Sequence, residues 1–357
     1  MLDIKRFLCC LKVIVLVCVL FSACKQNRSS ASEDSRDIVD MKGRTVTIPK
    51  TVDKVFMDWA QGTLHMMTLG ALDKVVAVRT AFEGEIFTWA RTIYPNFDVV
   101  QKDDAPFMNI EALLAYEPDV IFSLSDEDSR NYENIGIPVV VVTFADYDEF
   151  KQAMRIIGDV LGGEYAIKAT KFVDFFNANI ALVSERLVDV DNADKKVIHY
   201  IQGRAETALR TQGYGGIEST WVELAGGKYA ANDLIGRSID ISKEKFLQLD
   251  PDIILIGGHQ QASSLQALMN DSTFSEMRAI RNGQVFRMPQ GIFPWSEMGP
   301  EASMHMVWVA KLLFPDRFED IDIAQMAKGF YLDFLGADIS DEIIAQMQAG
   351  KLTPTGD

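Results

Sequence analysis

From residue 25 to the end of the chain there is no cysteine: Cys9, Cys10, Cys18 and Cys24 all fall within the first 24 of 357 residues. That excludes a disulfide framework and a cysteine-based zinc site in the body of the protein. Histidine is almost as scarce. His65, His199, His259 and His305 are scattered, with no His-x-x-x-His spacing that would suggest metal ligation. No segment reaches 18 uninterrupted apolar residues, so none reads as a membrane-spanning helix. Enzyme signatures are missing too. There is no Gly-x-Ser-x-Gly elbow, no Gly-x-x-x-x-Gly-Lys loop and no Gly-x-Gly-x-x-Gly after a strand. Gly213-Tyr214-Gly215-Gly216 lacks the phosphate-binding spacing, and Glu297 and Glu301, four apart at a helix start, are an ordinary pair. The rivals to a binding role are therefore an extracytoplasmic α/β enzyme without a legible signature and a surface interaction protein. Positive charge is in deficit as well. The formal net charge of −16 disfavours nucleic acid and anionic lipid and suits a basic partner or a cationic ligand.

What is present begins with an export signal. Lys5, Arg6 and Lys12 precede an apolar core from Val13 to Phe21, followed by the small residues Ser22 and Ala23. That core is shorter than the roughly 20 residues a spanning helix needs. The stretch Leu20-Phe21-Ser22-Ala23-Cys24 resembles a lipobox, with Phe21 where a Leu is usual. Residues 1–23 are expected to be removed and Cys24 to carry lipid. Residues 24–39 are polar and read as a tether. About 320 residues remain, more than one core usually serves, so two domains are expected.

Apolar, β-branched strands alternate with helices from residue 40 to 162, after a small hairpin turning at Lys42-Gly43. This pattern predicts an α/β lobe with a parallel sheet. Tyr165, Ala169, Phe172, Val173, Phe176, Ile180, Val183 and Leu187 then recur in steps of three and four, predicting one long helix over 163–190. The α/β alternation restarts over 195–320, and a helical tail occupies 321–357.

Two segments echo each other across the long helix. Asn109-Ile110-Glu111 leads to Pro118-Asp119-Val120-Ile121, and Ser242-Lys243-Glu244 leads to Pro251-Asp252-Ile253-Ile254. Each has an N-capping residue two before a Glu and a Pro-Asp seven after it. The proline stops the helix and launches a buried strand. Two like lobes on one long helix predict a cleft between them, with ligand beyond the carboxyl ends of the strands.

On these units the chain resembles the ABC-importer binding proteins for iron–siderophores, haem and vitamin B12, over roughly residues 40–315. The likeness extends to Gly43–Pro49, Leu69–Val78, Leu224-Ala225-Gly226-Gly227 and Ala279–Phe286. It implies a non-enzymatic, lipid-anchored, monomeric receptor outside the cytoplasmic membrane. Its partners would be a permease dimer with a cytoplasmic ATPase. No cofactor is implied; the ligand would be an iron chelate or, alternatively, haem or a corrinoid. By the same resemblance, Glu111 and Glu244 dock into arginine pockets of the permease.

Strand-end loops nominate the ligand contacts. In the first lobe these are Trp59, Gln61, Arg79 and Phe107. In the second they are Gln202, Arg204, Arg210, Tyr214, His259 and Trp295. Aromatics would stack on a flat chelate, and arginines would pair with its carboxylates or catecholates. The bridging helix implies modest closure on binding.

Overall fold

A computed structural model describes residues 34–59, 61–78, 87–94, 97, 110–132, 134–203 and 209–354. Cys24 lies outside them. The expected tether reached residue 39, but its last five residues form a strand. Strand β1 (Ser35–Val39) pairs antiparallel with β2 (Thr45–Pro49), Ser35 opposite Pro49. The turn is tied by the buried Asp40 carboxylate, which accepts from the N–H groups of Lys42 and Arg44 and from the Arg44 guanidinium. Gly43, at φ 72°, supplies the left-handed residue that the turn requires.

The first lobe comprises β3 (Val55–Met57), α1 (Gly62–Leu69), β4 (Val75–Val78), α2 (Thr88–Ile93), α3 (Ile110–Ala115), β5 (Val120–Ser123), α4 (Asp126–Ser129), β6 (Val139–Val141) and α5 (Tyr147–Leu161). Its four strands are parallel in the order β4-β3-β5-β6. The bridging helix α6 (Gly163–Arg186) follows, about 36 Å long at 1.5 Å per residue.

The second lobe comprises β7 (Val197–Gly203), β8 (Arg210–Thr211), α7 (Ile217–Leu224), β9 (Lys228–Tyr229), β10 (Ile239–Asp240), α8 (Lys243–Leu249), β11 (Ile253–Gly258), α9 (Gln261–Asn270), α10 (Arg278–Arg281), β12 (Val285–Arg287) and α11 (Ala302–Leu313). Its sheet, β12-β11-β7-β9, is also parallel. Counted within each lobe, both sheets read second-first-third-fourth. Each therefore reverses direction between its first and third strands, the point where open α/β sheets bind ligands.

The sequence echo has a mechanical cause. In the first lobe the Asp119 N–H donates to the Lys54 carbonyl at 2.8 Å, and its carboxylate accepts from the N–H groups of Asp53 and Lys54. In the second the Asp252 N–H donates to the Val197 carbonyl at 2.8 Å, and its carboxylate accepts from the Val197 N–H at 2.7 Å. Each Pro-Asp thus clamps the entry of the lobe's first strand to that of its third. The residue before each proline, Glu117 or Asp250, has positive φ, because the pre-proline position is barred from continuing the helix. Asp119→Ala is expected to lower stability by about 1–3 kcal/mol, since two backbone donors lose their acceptor. Urea melts check this; an unchanged midpoint would remove the clamp from the account.

Among the described residues one continuous core runs through both lobes, with small clusters beside it in each lobe. Helix α6 supplies its spine. Ala169, Phe172, Val173, Phe176 and Val183 are buried, and Tyr165, Ile180 and Leu187 pack half-buried beside them. The tail joins this core. Helix α12 (Ile323–Leu335) stacks Phe334 edge-on to Phe172, with ring centroids 5.6 Å apart, and Phe330 against Phe175 at 5.7 Å. Beyond α13 (Asp341–Gln348), the Lys351 carbonyl accepts from the Trp89 indole of the first lobe at 2.7 Å. The Met347 carbonyl accepts from the Gln290 N–H of the second at 2.9 Å. The tail is therefore a second crossing between the lobes.

Candidate functional site

The carboxyl ends of the two sheets face one cleft. In the first lobe the buried Asp58, just after β3, accepts from the Ser123 hydroxyl at 2.5 Å and the Leu124 N–H at 3.0 Å, holding the ends of β3 and β5 together. In the second, β7 and β11 close on paired glycines. A Cβ on Gly203 would lie 2.6 Å from the Gly257 carbonyl oxygen, and one on Gly258 would lie 2.8 Å from that of Gly203. Only glycine permits this approach.

Between the two switch points lies a cavity of about 250 Å³. Gln61 and Phe87 line it from the first lobe, and Gln202, Gly258, His259, Phe293, Pro294 and Glu297 from the second. The Phe87 and Phe293 rings stack across the cleft, 6.1 Å apart and 21° from parallel. Gln202 is oriented by the Ser238 hydroxyl, which donates to its side-chain oxygen at 2.6 Å. A larger hollow, about 580 Å³, lies by α11 and the start of α12, lined by residues such as Trp308, Lys311 and Asp320. It touches the strand ends of neither sheet.

Of the nominated contacts, the structure brings together Gln61, Gln202 and His259. Trp59 and Trp295 belong to the core rather than to the cavity wall. Trp59 folds over the start of α1, where a Cβ on Gly62 would lie 2.9 Å from its ring. Trp295 is fully buried, with its indole nitrogen 2.8 Å from where a Cβ on Gly291 would stand. Arg210 pairs with Asp240 on the β8–β10 ribbon, and Tyr214 is 69 % exposed on the neighbouring loop. Neither lines the cavity. Arg79, Phe107 and Arg204 lie outside the described residues.

Sequence reading missed Phe87, Phe293, Pro294 and Glu297. They stand on irregular segments with no strand-end pattern; the stacking across the cleft marks Phe87 and Phe293, and the cavity wall marks Pro294 and Glu297. It also took Glu297 and Glu301 together, whereas they part company. Glu301 is fully buried; its carboxylate accepts from the Ile292 N–H at 2.7 Å and the Tyr331 hydroxyl at 3.1 Å, organising the buried loop that carries Phe293 and Glu297. Burial pushes Glu301 up to about 8. Burial, helped by the charge of Glu297, does the same to Glu218 near the start of α7. His65, His199 and His305 pack among aromatic rings, and burial depresses them to about 4, about 3 and about 3.

Two like parallel lobes, one bridging helix and a cleft at both switch points define a two-lobed solute-binding protein. Residues 62–291 match the family model described as Periplasmic binding protein, and the chain belongs to that family. It is a periplasmic binding protein of an ABC transporter, not an enzyme. It is similar to the molybdate-binding protein MolA of Haemophilus influenzae, 28 % identical over 91 % of this chain and 96 % of that protein. The molybdate-bound structure of MolA matches with a TM-score of 0.69 at 25 % identity, over 85 % of this chain and 99 % of that one. The Fe(3+)-citrate-binding protein YfmC of Bacillus subtilis is 20 % identical over 79 % of this chain and 89 % of its own. A periplasmic solute binding protein of Veillonella parvula shares the fold, with a TM-score of 0.77 at 20 % identity, over 88 % and 97 % of the two chains.

Proposed function

We propose that this protein captures a small, anionic, oxygen-rich metal species between its lobes and delivers it to a membrane permease. The observation that carries this reading is the cavity of about 250 Å³ at both switch points. It lies below the roughly 300–1,000 Å³ typical of pockets for larger organic ligands. That size disfavours haem and corrinoids, the alternatives implied by resemblance. The first reading is a compact ferric chelate. Stacked Phe87 and Phe293 offer apolar faces to an organic chelator, the amides of Gln61 and Gln202 meet its oxygens, and His259 and Glu297 face a metal centre. The likeness to YfmC supports it. The second reading, molybdate, is favoured by the closer likeness to MolA over nearly the whole chain.

Delivery would use Glu111 and Glu244 as permease contacts, and Cys24 as the lipid anchor that keeps the receptor beside its permease.

Thermal melts with ferric citrate, a ferric catecholate, haem, cobalamin and molybdate separate these readings. A cognate ligand at a hundred times its Kd adds about 2.7 kcal/mol, raising the melting temperature by roughly 5 °C. A rise with ferric citrate, the catecholate or molybdate alone identifies the class. A rise only with haem or cobalamin, or with none of the five, overturns it.

A further inference from the structure

Beneath the cleft, towards α6, lies a set of polar atoms that the ligand cavity does not include. The Tyr147 hydroxyl comes from the first lobe, at the start of α5. The second lobe contributes the Tyr200 hydroxyl from β7, one carboxylate oxygen of Glu218 and the Ser296 hydroxyl. All four side-chain atoms are buried, and none has a hydrogen-bond partner within the structure. They belong to one neighbourhood. Tyr147 and Tyr200 both feel the charges of Glu218 and Glu297, and Ser296 stands beside the Tyr200 hydroxyl. Glu297 lines the cavity above, so the set connects with the cleft.

Glycines frame it. A Cβ on Gly257 would lie 2.5 Å from the Tyr200 hydroxyl, and one on Gly216 would lie 2.6 Å from the Glu218 oxygen. Native proteins rarely leave one buried polar group unpartnered, and four in one place call for an occupant. The hydroxyls of Tyr147, Tyr200 and Ser296 are donors that lack acceptors.

We propose that Tyr147, Tyr200, Ser296 and Glu218 form a second, deeper subsite of the cleft that donates hydrogen bonds to oxygen atoms of an anionic metal species. This rests on the reading of the ligand as oxygen-rich and anionic. The occupant gathers donors from both lobes, so seating it draws them together. Glu218 must hold its proton to act as a donor. The groups acting on it are Glu297 from the loop before α11, Tyr147 from α5, Tyr200 from β7, Tyr229 from β9, and Arg237, which favours ionisation. Burial and Glu297 prevail and hold the carboxyl neutral up to about 8. Above that it ionises and repels an anion, so affinity falls as pH rises.

Calorimetric titration of the full chain tests this, with sodium molybdate and with ferric citrate in excess citrate as the two probes. Wild type is expected to bind one of them about tenfold more weakly at pH 9 than at pH 6.5, following the loss of the Glu218 proton. Tyr147→Phe and Tyr200→Phe each remove only a hydroxyl; they are expected to weaken binding about tenfold while the ligand-free melting temperature holds or rises. Glu218→Gln keeps a neutral donor and is expected to lose the pH dependence. If wild type binds while both phenylalanine variants bind as tightly, these four groups take no part in binding and the subsite is overturned, with the functional reading intact. If wild type binds neither probe, and no ferric catecholate either, the functional reading falls and the subsite with it.

Discussion

Replacing Glu111 and Glu244 together by alanine is expected to cut ligand uptake more than a hundredfold while leaving ligand affinity unchanged. Each glutamate sits in the first turn of a helix that precedes its lobe's third strand, and each is exposed. A helix crossing between parallel strands runs antiparallel to them, so both helix starts lie at the carboxyl ends of the sheets, where the cleft opens. Helix α8 is pinned there by its Ser242 cap, which accepts from the Lys245 N–H at 3.1 Å. Both helices run into their third strands through the same Pro-Asp clamp. The two carboxylates are therefore presented from equivalent positions, one per lobe, as a two-fold permease would require. Each charge-assisted bond to an arginine contributes roughly 1.5–3 kcal/mol, and losing both corresponds to more than two orders of magnitude in docking. Uptake in whole cells, with calorimetry on the purified variant, checks this. Normal uptake by the double variant would remove both residues from the docking surface.

The second large effect concerns stability and pH. Three histidines and two glutamates are buried in forms that solvent would not favour. His65, His199 and His305 are held neutral, well below their ordinary 6.5, so the unfolded chain takes up protons that the folded chain refuses. Their contribution to stability is lost as pH falls from about 6.5 towards 4. Glu218 and Glu301 are held protonated up to about 8, above their ordinary 4.5, so their contribution is lost as pH rises from about 4.5 to 8. Each group contributes a slope of about 1.4 kcal/mol per pH unit. Between pH 4.5 and 6.5 three histidines outweigh two acids, and stability rises with pH. Between 6.5 and 8 only the acids act, and it falls. Urea melts of ligand-free protein are expected to peak near pH 6.5. Glu301→Gln should halve the slope on the alkaline side. A stability that climbs steadily from pH 6.5 to 8 would contradict the assignment of either acid as neutral.

The parts legible in the sequence are those whose cause is local. The stripe on α6 follows from helical period, and the buried strands follow from their β-branched runs. The two Pro-Asp units could be matched because a capped helix, a proline stop and a clamping aspartate each leave a mark within a dozen residues. Gln61, Gln202 and His259 could be placed near the cavity wall because they follow strands whose ends were legible.

Other features depended on partners far along the chain. Trp59 and Trp295 look like any aromatic near a strand end until Gly62 and Gly291 are seen to leave room for their indoles. Phe87 and Phe293 acquire meaning only by stacking on each other across more than 200 residues of chain. The acidity of Glu218 and Glu301 is set by burial, which depends on every element packed above them. In the sequence the tail shows only as helical, yet its aromatic rings complete the spine of α6 and its end ties the lobes together. Local pattern thus determined the elements, their order and the equivalence of the two lobes. Which side chains share the cleft, and which polar groups lie buried beneath it, was decided only when distant surfaces met and excluded water.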